Sequence, residues 1–194
     1  MHSPQLFFVI LLLSSFLLPS SPLSPPQESG NRLSTASGPN PLSSSPFSIA
    51  LETLEKNIGY EFQSIDLLGR AMTHASYSAD NNRALAILGL DVIQTAVSLR
   101  SLKENIDISA KDLNSLIVEI SKEASCAAYG FRLGLQNVVR VSTKTNSSAP
   151  VVVCGAFKAV FGAVAVDTSK ADDAGDVFWK VKGSHGNDTV VFDL

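Results

Sequence analysis

One stretch of the chain decides the fold: residues 81 to 93 read NNRALAILGLDVI. Their apolar side chains recur every three or four positions, which is the period of an α-helix. The pattern continues along the chain, and we therefore predict a long helix from Arg83 to about Leu102. Apolar residues cover much of its surface, and a helix of that kind is expected at the centre of a domain.

The neighbouring segments also predict helices, each with its own start or stop signal. A first helix begins at Pro46 and ends near Gly59, and a short second helix is capped by Ser64. Residues 109 to 112 have the spacing of a capping box, which begins one helix that continues to the glycine at position 130. Residues 151 to 166, rich in Val, Ala and Phe, form the last predicted core helix. These patterns indicate an all-α fold class.

The C-terminal residues 168 to 194 differ in kind from the helical region. Val177–Val181 and Thr189–Phe192 are β-prone runs joined by a polar segment that contains two glycines. This pattern predicts a short C-terminal β-hairpin. Trp179 in the first run is expected to pack over the helical body rather than to bind a partner.

The N-terminal region has the pattern of a secretory signal. Leu6–Leu18 is an apolar run too short for a comfortable membrane span, and Pro19–Pro26 is rich in Ser and Pro. No Lys or Arg precedes Arg32, whereas a transit peptide needs several arginines. We expect a signal peptide at residues 1–21, a disordered linker at residues 22–45, and a location in the endoplasmic reticulum lumen or outside the cell. The alternatives are a mitochondrial or plastid location and an uncleaved anchor; no membrane span is expected in the mature chain.

Four residues agree with entry into an oxidising, glycosylating compartment. Asn146 and Asn187 each begin an Asn-x-Ser/Thr sequon in a polar stretch. Cys126 and Cys154, the two cysteines of the chain, can pair there as a disulfide, although both also suit small buried apolar positions. The net charge of −3 counts against a nucleic-acid partner, because affinity for a duplex depends on a basic face.

Four segments resemble, in the same order, the motifs of ribonuclease III domains. Residues 54–62 (LEKNIGYEF) look like L-E-x-x-L-G-Y-x-F, and residues 67–77 (LLGRAMTHASY) look like L-L-x-x-A-L-T-H-x-S-Y. Residues 81–93 look like the family's signature helix, N-E-R-L-E-F-L-G-D-A-V-L, and residues 154–163 (CGAFKAVFGA) look like A-D-x-F-E-A-x-x-G-A. The resemblance covers residues 46–167 and implies the family's helical endonuclease fold, together with its dimerisation through this domain.

The resemblance fails at the positions where the family holds Mg²⁺. Four acids bind the metal in the family, and this chain has Ala86, Leu90, Gly155 and Lys158 in their places. None of these side chains supplies the oxygen ligands that Mg²⁺ needs, and an ammonium about 4 Å from a divalent ion would repel it by roughly 8 kcal/mol at an effective dielectric of 20. Asp91 cannot replace the lost Asp, since one residue turns a side chain by about 100° around the helix. We therefore expect no catalytic residue, no metal and no cofactor.

The function that follows from these departures is a non-catalytic one. We expect a ribonuclease III-like protein that acts through a protein partner or a homodimer in the secretory system. The alternative is an RNA-binding or RNA-processing subunit with an inactive nuclease fold. His74 is expected to fix its turn by hydrogen bonds rather than to act in catalysis. The chain shows no Cys/His cluster with zinc spacing and no glycine-rich phosphate loop.

Overall fold

Residues 45–184 are described by a computed structural model, in which they form α-helices joined by short loops. The helices are α1 (Pro46–Ile58), α2 (Ile65–Ala71), α3 (Arg83–Glu104), α4 (Ala110–Ser121), α5 (Glu123–Arg132), α6 (Pro150–Thr168) and α7 (Ala171–Ser184), with a 3₁₀ turn at Leu135–Asn137. Within this range the chain has no strand, only an isolated parallel bridge between Thr73 and Arg140, and the all-α prediction is confirmed. The predicted signal peptide, the linker up to residue 44 and the sequon at Asn187 lie outside the described residues.

Helix α6 is the centre of the fold. Apolar residues occur all around it, and α2, α3, α5 and α7 pack against it. The rings of Phe157 and Phe161 are 5.0 Å apart, and Phe178 of α7 lies 5.5 Å beyond Phe161. By length and composition α3 and α6 could each cross a membrane, a test that the core helix of a soluble protein also passes. Two thirds of the 18-residue apolar stretch of α6 is buried inside the domain, as expected of a core helix.

The helix ends follow the signals seen in the sequence. The Ser45 side chain accepts a hydrogen bond from the Ser48 amide, so α1 begins at Pro46 as predicted. Gly59 ends that helix with φ = 70°, a left-handed conformation that costs glycine little. The Ser109 hydroxyl accepts from the Asp112 amide at 3.1 Å and starts α4.

Two predicted elements are wrong. The helix expected from the capping box to the glycine at position 130 is two helices, because Lys122 has extended dihedral angles (φ −56°, ψ 142°) between α4 and α5. The first strand of the expected hairpin, Val177–Val181, lies inside α7. Its buried residues are spaced at helical intervals, and they pack on α6 and α3. The second predicted strand, Thr189–Phe192, lies outside the described residues.

Asp167 near the end of α6 ties the α1–α2 loop to the core. Its carboxylate accepts hydrogen bonds from the Tyr60 hydroxyl at 2.6 Å, the Gln63 amide at 2.8 Å and the Ser64 amide at 2.9 Å. Two of these donors immediately precede α2, so the carboxylate satisfies backbone groups at the start of that helix. Burial raises the pKa of the Tyr60 hydroxyl, and the hydrogen bond to Asp167 raises it further.

Candidate functional site

The motifs at residues 81–93 and 154–163 meet where α3 crosses α6. An ideal Cβ on Gly89 would lie 1.8 Å from the carbonyl oxygen of Lys158, and one on Gly162 would lie 2.0 Å from that of Leu85. The two backbones therefore touch. Leu85 lies opposite Gly162, and Gly89, further along α3, lies opposite Lys158, earlier on α6, so the helices run antiparallel. Because no Cβ fits between the two helices at these points, glycine is required at both positions.

The four positions that hold the metal in the ribonuclease III family are brought together at this crossing. Ala86 and Leu90 flank Gly89 on α3, while Gly155 and Lys158 lie one turn apart on α6. All four residues are half-buried. These positions on the two crossing helices carry methyl, isobutyl, hydrogen and ammonium groups, whereas the family resemblance assigns carboxylates to them.

Among the residues that the structure describes, no substitute set of metal ligands lies near the crossing. Asp91 is exposed, one residue after the half-buried Leu90. Across residues 45–184 no group of three or more His, Cys, Asp or Glu side chains could hold a metal ion. In the same range no carboxylate comes within 4.0 Å of the Lys158 ammonium.

His74 has the role in its turn that the sequence predicted. Its Nδ1 accepts a hydrogen bond from the Ser76 amide at 3.1 Å and lies 2.9 Å from the Ser76 hydroxyl oxygen. That hydroxyl oxygen accepts in turn from the Ser142 amide at 3.1 Å, so the network joins the turn to the segment before α6. The His74 amide donates to the carbonyl oxygen of Arg140, next to the bridge between Thr73 and Arg140.

The predicted modification sites lie on different parts of the domain. Asn146 is exposed in the loop before α6, and its side-chain oxygen accepts from the Ser148 amide at 2.9 Å. The sulfur atoms of Cys126 on α5 and Cys154 on α6 are bonded to each other, and the Cα atoms are 5.0 Å apart. This bond joins the two helices directly before Gly155, at the edge of the degenerate motif.

Trp179 packs on the helical body as expected. The centroid of its ring lies 5.1 Å from that of the Phe178 ring. The Arg100 guanidinium lies 4.4 Å from the Trp179 ring centroid, and the Lys182 ammonium lies 4.9 Å from it. Burial lowers the pKa of the Lys182 amine, and the charge of Arg100 lowers it further.

Sequence reasoning missed one polar cluster, which is centred on Arg140. The guanidinium Nη2 donates to the Thr73 hydroxyl at 2.6 Å, and the guanidinium carbon lies 4.0 Å from the Phe47 ring centroid and 5.0 Å from the Tyr77 ring centroid. These residues come from three separate segments, and no short motif connects them. A sequence signal could only have been the lone cation in an otherwise apolar run, Val138–Val141.

The class of protein follows from this fold and from the two motifs at its centre. Residues 64–180 match the protein-family model described as Ribonuclease-III-like. The match spans more than half of the chain, and the chain belongs to that family.

Similar proteins include a plant protein and bacterial enzymes. The chain is 54% identical over 142 residues to Protein NUCLEAR FUSION DEFECTIVE 2 of Arabidopsis thaliana, covering 73% of this chain and 74% of that protein. It is 32% identical over 123 residues to Ribonuclease 3 of Bordetella petrii, covering 61% of this chain and 49% of the enzyme. The chain therefore spans about half the length of this bacterial relative.

Solved structures of nuclease domains share the fold. The nuclease domain of ribonuclease III from Campylobacter jejuni, at 25% identity, superposes with a TM-score of 0.64 and covers 69% of this chain and 93% of that domain. A second structure of the same domain, at 24% identity, gives a TM-score of 0.65 over 69% of this chain. The helical endonuclease fold predicted from the motifs is confirmed.

Proposed function

We propose that this chain uses a ribonuclease III-like scaffold for protein interaction and does not cut RNA. The observation that carries the proposal is the state of the α3–α6 crossing. Its close-packed glycines are in place, while the ligand positions hold Ala86, Leu90, Gly155 and Lys158. Both motifs, one on α3 and one on α6, lack their two metal-binding acids. This pattern fits the loss of the catalytic activity better than a chance substitution at one position.

The identity of the plant relative supports a role in nuclear fusion. At 54% identity over 142 residues, this chain is similar to a protein whose name refers to defective nuclear fusion. We propose that the chain takes part in karyogamy, the fusion of nuclei. The specific event that we propose is the fusion of polar nuclei in the female gametophyte of plants. A location in the endoplasmic reticulum lumen, which is continuous with the nuclear envelope, would place it at the fusing membranes.

The surface of α3 supports protein interaction as the means. Ile87 is 68% exposed and Leu88 is 37% exposed, on the turn that lies between the degenerate positions Ala86 and Leu90. Burying one such side chain contributes about 1.5–3 kcal/mol, so a pair is a useful anchor for a partner. We propose a second copy of this chain as the partner on this face.

Restoring the lost acids tests the proposed loss of catalysis. The variant Ala86→Glu/Leu90→Asp/Gly155→Asp/Lys158→Glu rebuilds four carboxylates, and the matched control carries Gln, Asn, Asn and Gln at the same positions. We expect Mn²⁺ to bind the acid variant, measured by water-proton relaxation, and to bind neither the control nor the natural chain. An activity that cleaves duplex RNA, depends on Mg²⁺ and co-purifies with the natural chain would refute the proposal.

Location can be measured independently of chemistry. A C-terminal fluorescent tag, combined with glycosidase treatment, should show lumenal fluorescence and a mobility shift. Replacing Asn146 by Gln should remove part of that shift. A tag confined to mitochondria or plastids, with no shift, would contradict the secretory location.

RNA binding without cleavage is the second candidate, and the fold is the observation that favours it. It predicts a gel shift with duplex RNA that weakens as salt rises. Charge reversal by Lys158→Glu should weaken the shift if the former metal site contacts phosphate. The absence of any shift at low salt would exclude this candidate.

A further inference from the structure

A groove lies beside Arg140, on the side of the domain formed by α1 and α2. Its volume is about 540 Å³, within the range of pockets that hold small ligands. We call it the Arg140 groove. The residues that line it include Phe47, Leu51, Ile65, Arg70, Thr73 and Arg140.

The Arg140 guanidinium is held by three contacts, and no carboxylate among residues 45–184 pairs with it. The Phe47 and Tyr77 ring centroids lie 4.0 Å and 5.0 Å from its central carbon, and Nη2 donates to the Thr73 hydroxyl at 2.6 Å. Within residues 45–184 no carboxylate lies within 4.0 Å of it, and its buried Nε has no hydrogen-bond partner. A guanidinium has five N–H donors in a planar fork, and within residues 45–184 the Thr73 hydroxyl is the acceptor that the Arg140 guanidinium reaches.

The rest of the groove sets the kind of anion that would fit. Arg70 adds a second guanidinium, whose Nε donates to the carbonyl oxygen of Asn81 at 3.3 Å and whose Nη2 lies 3.9 Å from the Asp80 carboxylate, so Arg140 is the cation that a ligand can still pair with. Glu52, Asp66 and Asp80 are exposed at the rim. Water and salt weaken their repulsion of a single negative charge, but that repulsion grows with each further charge and disfavours polyanions.

One wall of the groove is apolar. Phe47 and Leu51 of α1 face Ile65 of α2, which is 38% exposed. A ligand that fills the groove therefore meets hydrocarbon beside the fixed guanidinium. Charge and wall together select a monoanion that carries a small apolar group.

We propose that the Arg140 groove is a binding site for a carboxylate attached to a small apolar group, as at the C-terminus or an acidic side chain of a peptide. A planar guanidinium pairs with a carboxylate through two parallel hydrogen bonds. The site is formed by α1, α2 and the turn at Thr73, and it does not use the α3–α6 crossing. The proposal therefore stands whether or not the chain has kept nuclease activity.

The test is a titration of the full ¹⁵N-labelled chain followed by NMR. The probes are N-acetyl-leucine, for a terminal carboxylate, and N-acetyl-leucyl-glutamic acid α-amide, which keeps the free γ-carboxylate of an acidic side chain. At least one should shift the Arg140 Nε–H and Thr73 amide signals saturably, with a Kd on the order of 1 mM for so small a ligand. N-acetyl-leucinamide has the shape of the first probe without its charge, and it should not bind.

Two variants test the two walls of the groove separately. Arg140→Lys keeps the charge and loses the planar fork, and it should weaken binding at least about tenfold. Ile65→Ser changes an exposed apolar residue and should weaken binding about threefold to tenfold, even if Arg140→Lys fails to fold. Lys103→Gln, on α3 outside the groove, should leave the affinity unchanged.

Several results would overturn the proposal. Equal binding of the amide probe would show that the carboxylate is not recognised. Full affinity in both groove variants would place the binding elsewhere. Tighter binding of inorganic phosphate than of either carboxylate would assign the groove to a different anion.

Discussion

At the scale of single residues, the Asp167 carboxylate accepts three hydrogen bonds that tie the α1–α2 loop to α6. Burial alone would raise the pKa of its carboxyl group, but hydrogen bonds from Tyr60, Gln63 and Ser64 outweigh that effect and hold the pKa below its usual value. The unfolded carboxyl has a pKa of about 3.9. Since the folded value is the lower one, the tie contributes fully at pH values above the unfolded pKa. Its contribution is lost as pH falls through the folded pKa.

Replacing Asp167 by Asn should therefore lower stability and change its pH dependence. The amide offers a weaker acceptor to the Gln63 and Ser64 amides, and we expect a loss of about 2 kcal/mol in the free energy of unfolding at neutral pH. Urea unfolding followed by circular dichroism measures it. The difference from the natural chain should shrink as the pH is lowered below about 4.

An exposed aspartate on α3 supplies the control for this residue. Asp91→Asn should change the unfolding free energy by less than about 0.5 kcal/mol at any of these pH values. If Asp167→Asn were as mild as Asp91→Asn, the three hydrogen bonds would not contribute net stability.

At the scale of helices, the α3–α6 crossing depends on two missing side chains. Gly89→Ala would place a methyl group 1.8 Å from the Lys158 carbonyl oxygen, and Gly162→Ala would place one 2.0 Å from that of Leu85. Both neighbours are backbone atoms, which cannot rotate away. We expect each variant to lose about 3 kcal/mol or more, or to fail to fold, as measured by thermal unfolding.

Gly155 provides the matched control on the same helix. An added Cβ there meets nothing within 4 Å. Gly155→Ala should stabilise the chain by about 0.5–1 kcal/mol, because alanine is more favourable than glycine in a helix interior. A neutral Gly89→Ala would mean that the helices cross elsewhere, and a destabilising Gly155→Ala would mean that the space around Gly155 is not open.

The bond between Cys126 and Cys154 is the covalent link between two helices. Their separation of 28 residues gives a constraint on the unfolded chain worth about 3–4 kcal/mol. Protein made in an oxidising compartment should show no free thiol after denaturation, and reductant should lower its unfolding free energy by that amount. The Cys126→Ala/Cys154→Ala variant should not respond to reductant. Two titratable thiols in the untreated protein would refute the pairing.

Helix α7 shows why part of the fold was predicted wrongly. Val, Phe and Trp favour strands, and this preference suggested a hairpin. The buried residues Ala174, Val177, Phe178 and Val181 have helical spacing, and burial against α6 and α3 decides the element. The break at Lys122 contains neither Gly nor Pro, so no local signal predicts it, and the helix that follows, α5, packs on α6. Packing between distant segments is what local patterns do not contain.

At the scale of the whole molecule, two kinds of site differ in how far they could be predicted. The degenerate metal site was predictable because its residues lie within two short motifs of fixed spacing. The Arg140 groove was not, because Phe47, Ile65 and Arg140 come from segments up to 93 positions apart. Such a site exists only after the helices have packed, and no single stretch of sequence indicates it.

The oligomeric state is the last prediction, and it belongs to the whole molecule. If two copies meet through the exposed turn of α3, the chain should sediment as a dimer at about 10 μM, and Ile87→Lys should leave monomers by placing a charge in the interface.

Ile106→Lys is the matched control, since Ile106 is 75% exposed in the loop after α3 and Ile87 is 68% exposed. Both variants add the same charge to an exposed isoleucine, so a general effect of charge would act on both alike. Dissociation by Ile87→Lys alone would place the dimer contact on α3, next to the positions from which the metal ligands were lost. A natural chain that stays monomeric at about 100 μM would remove the second copy as the partner of that face.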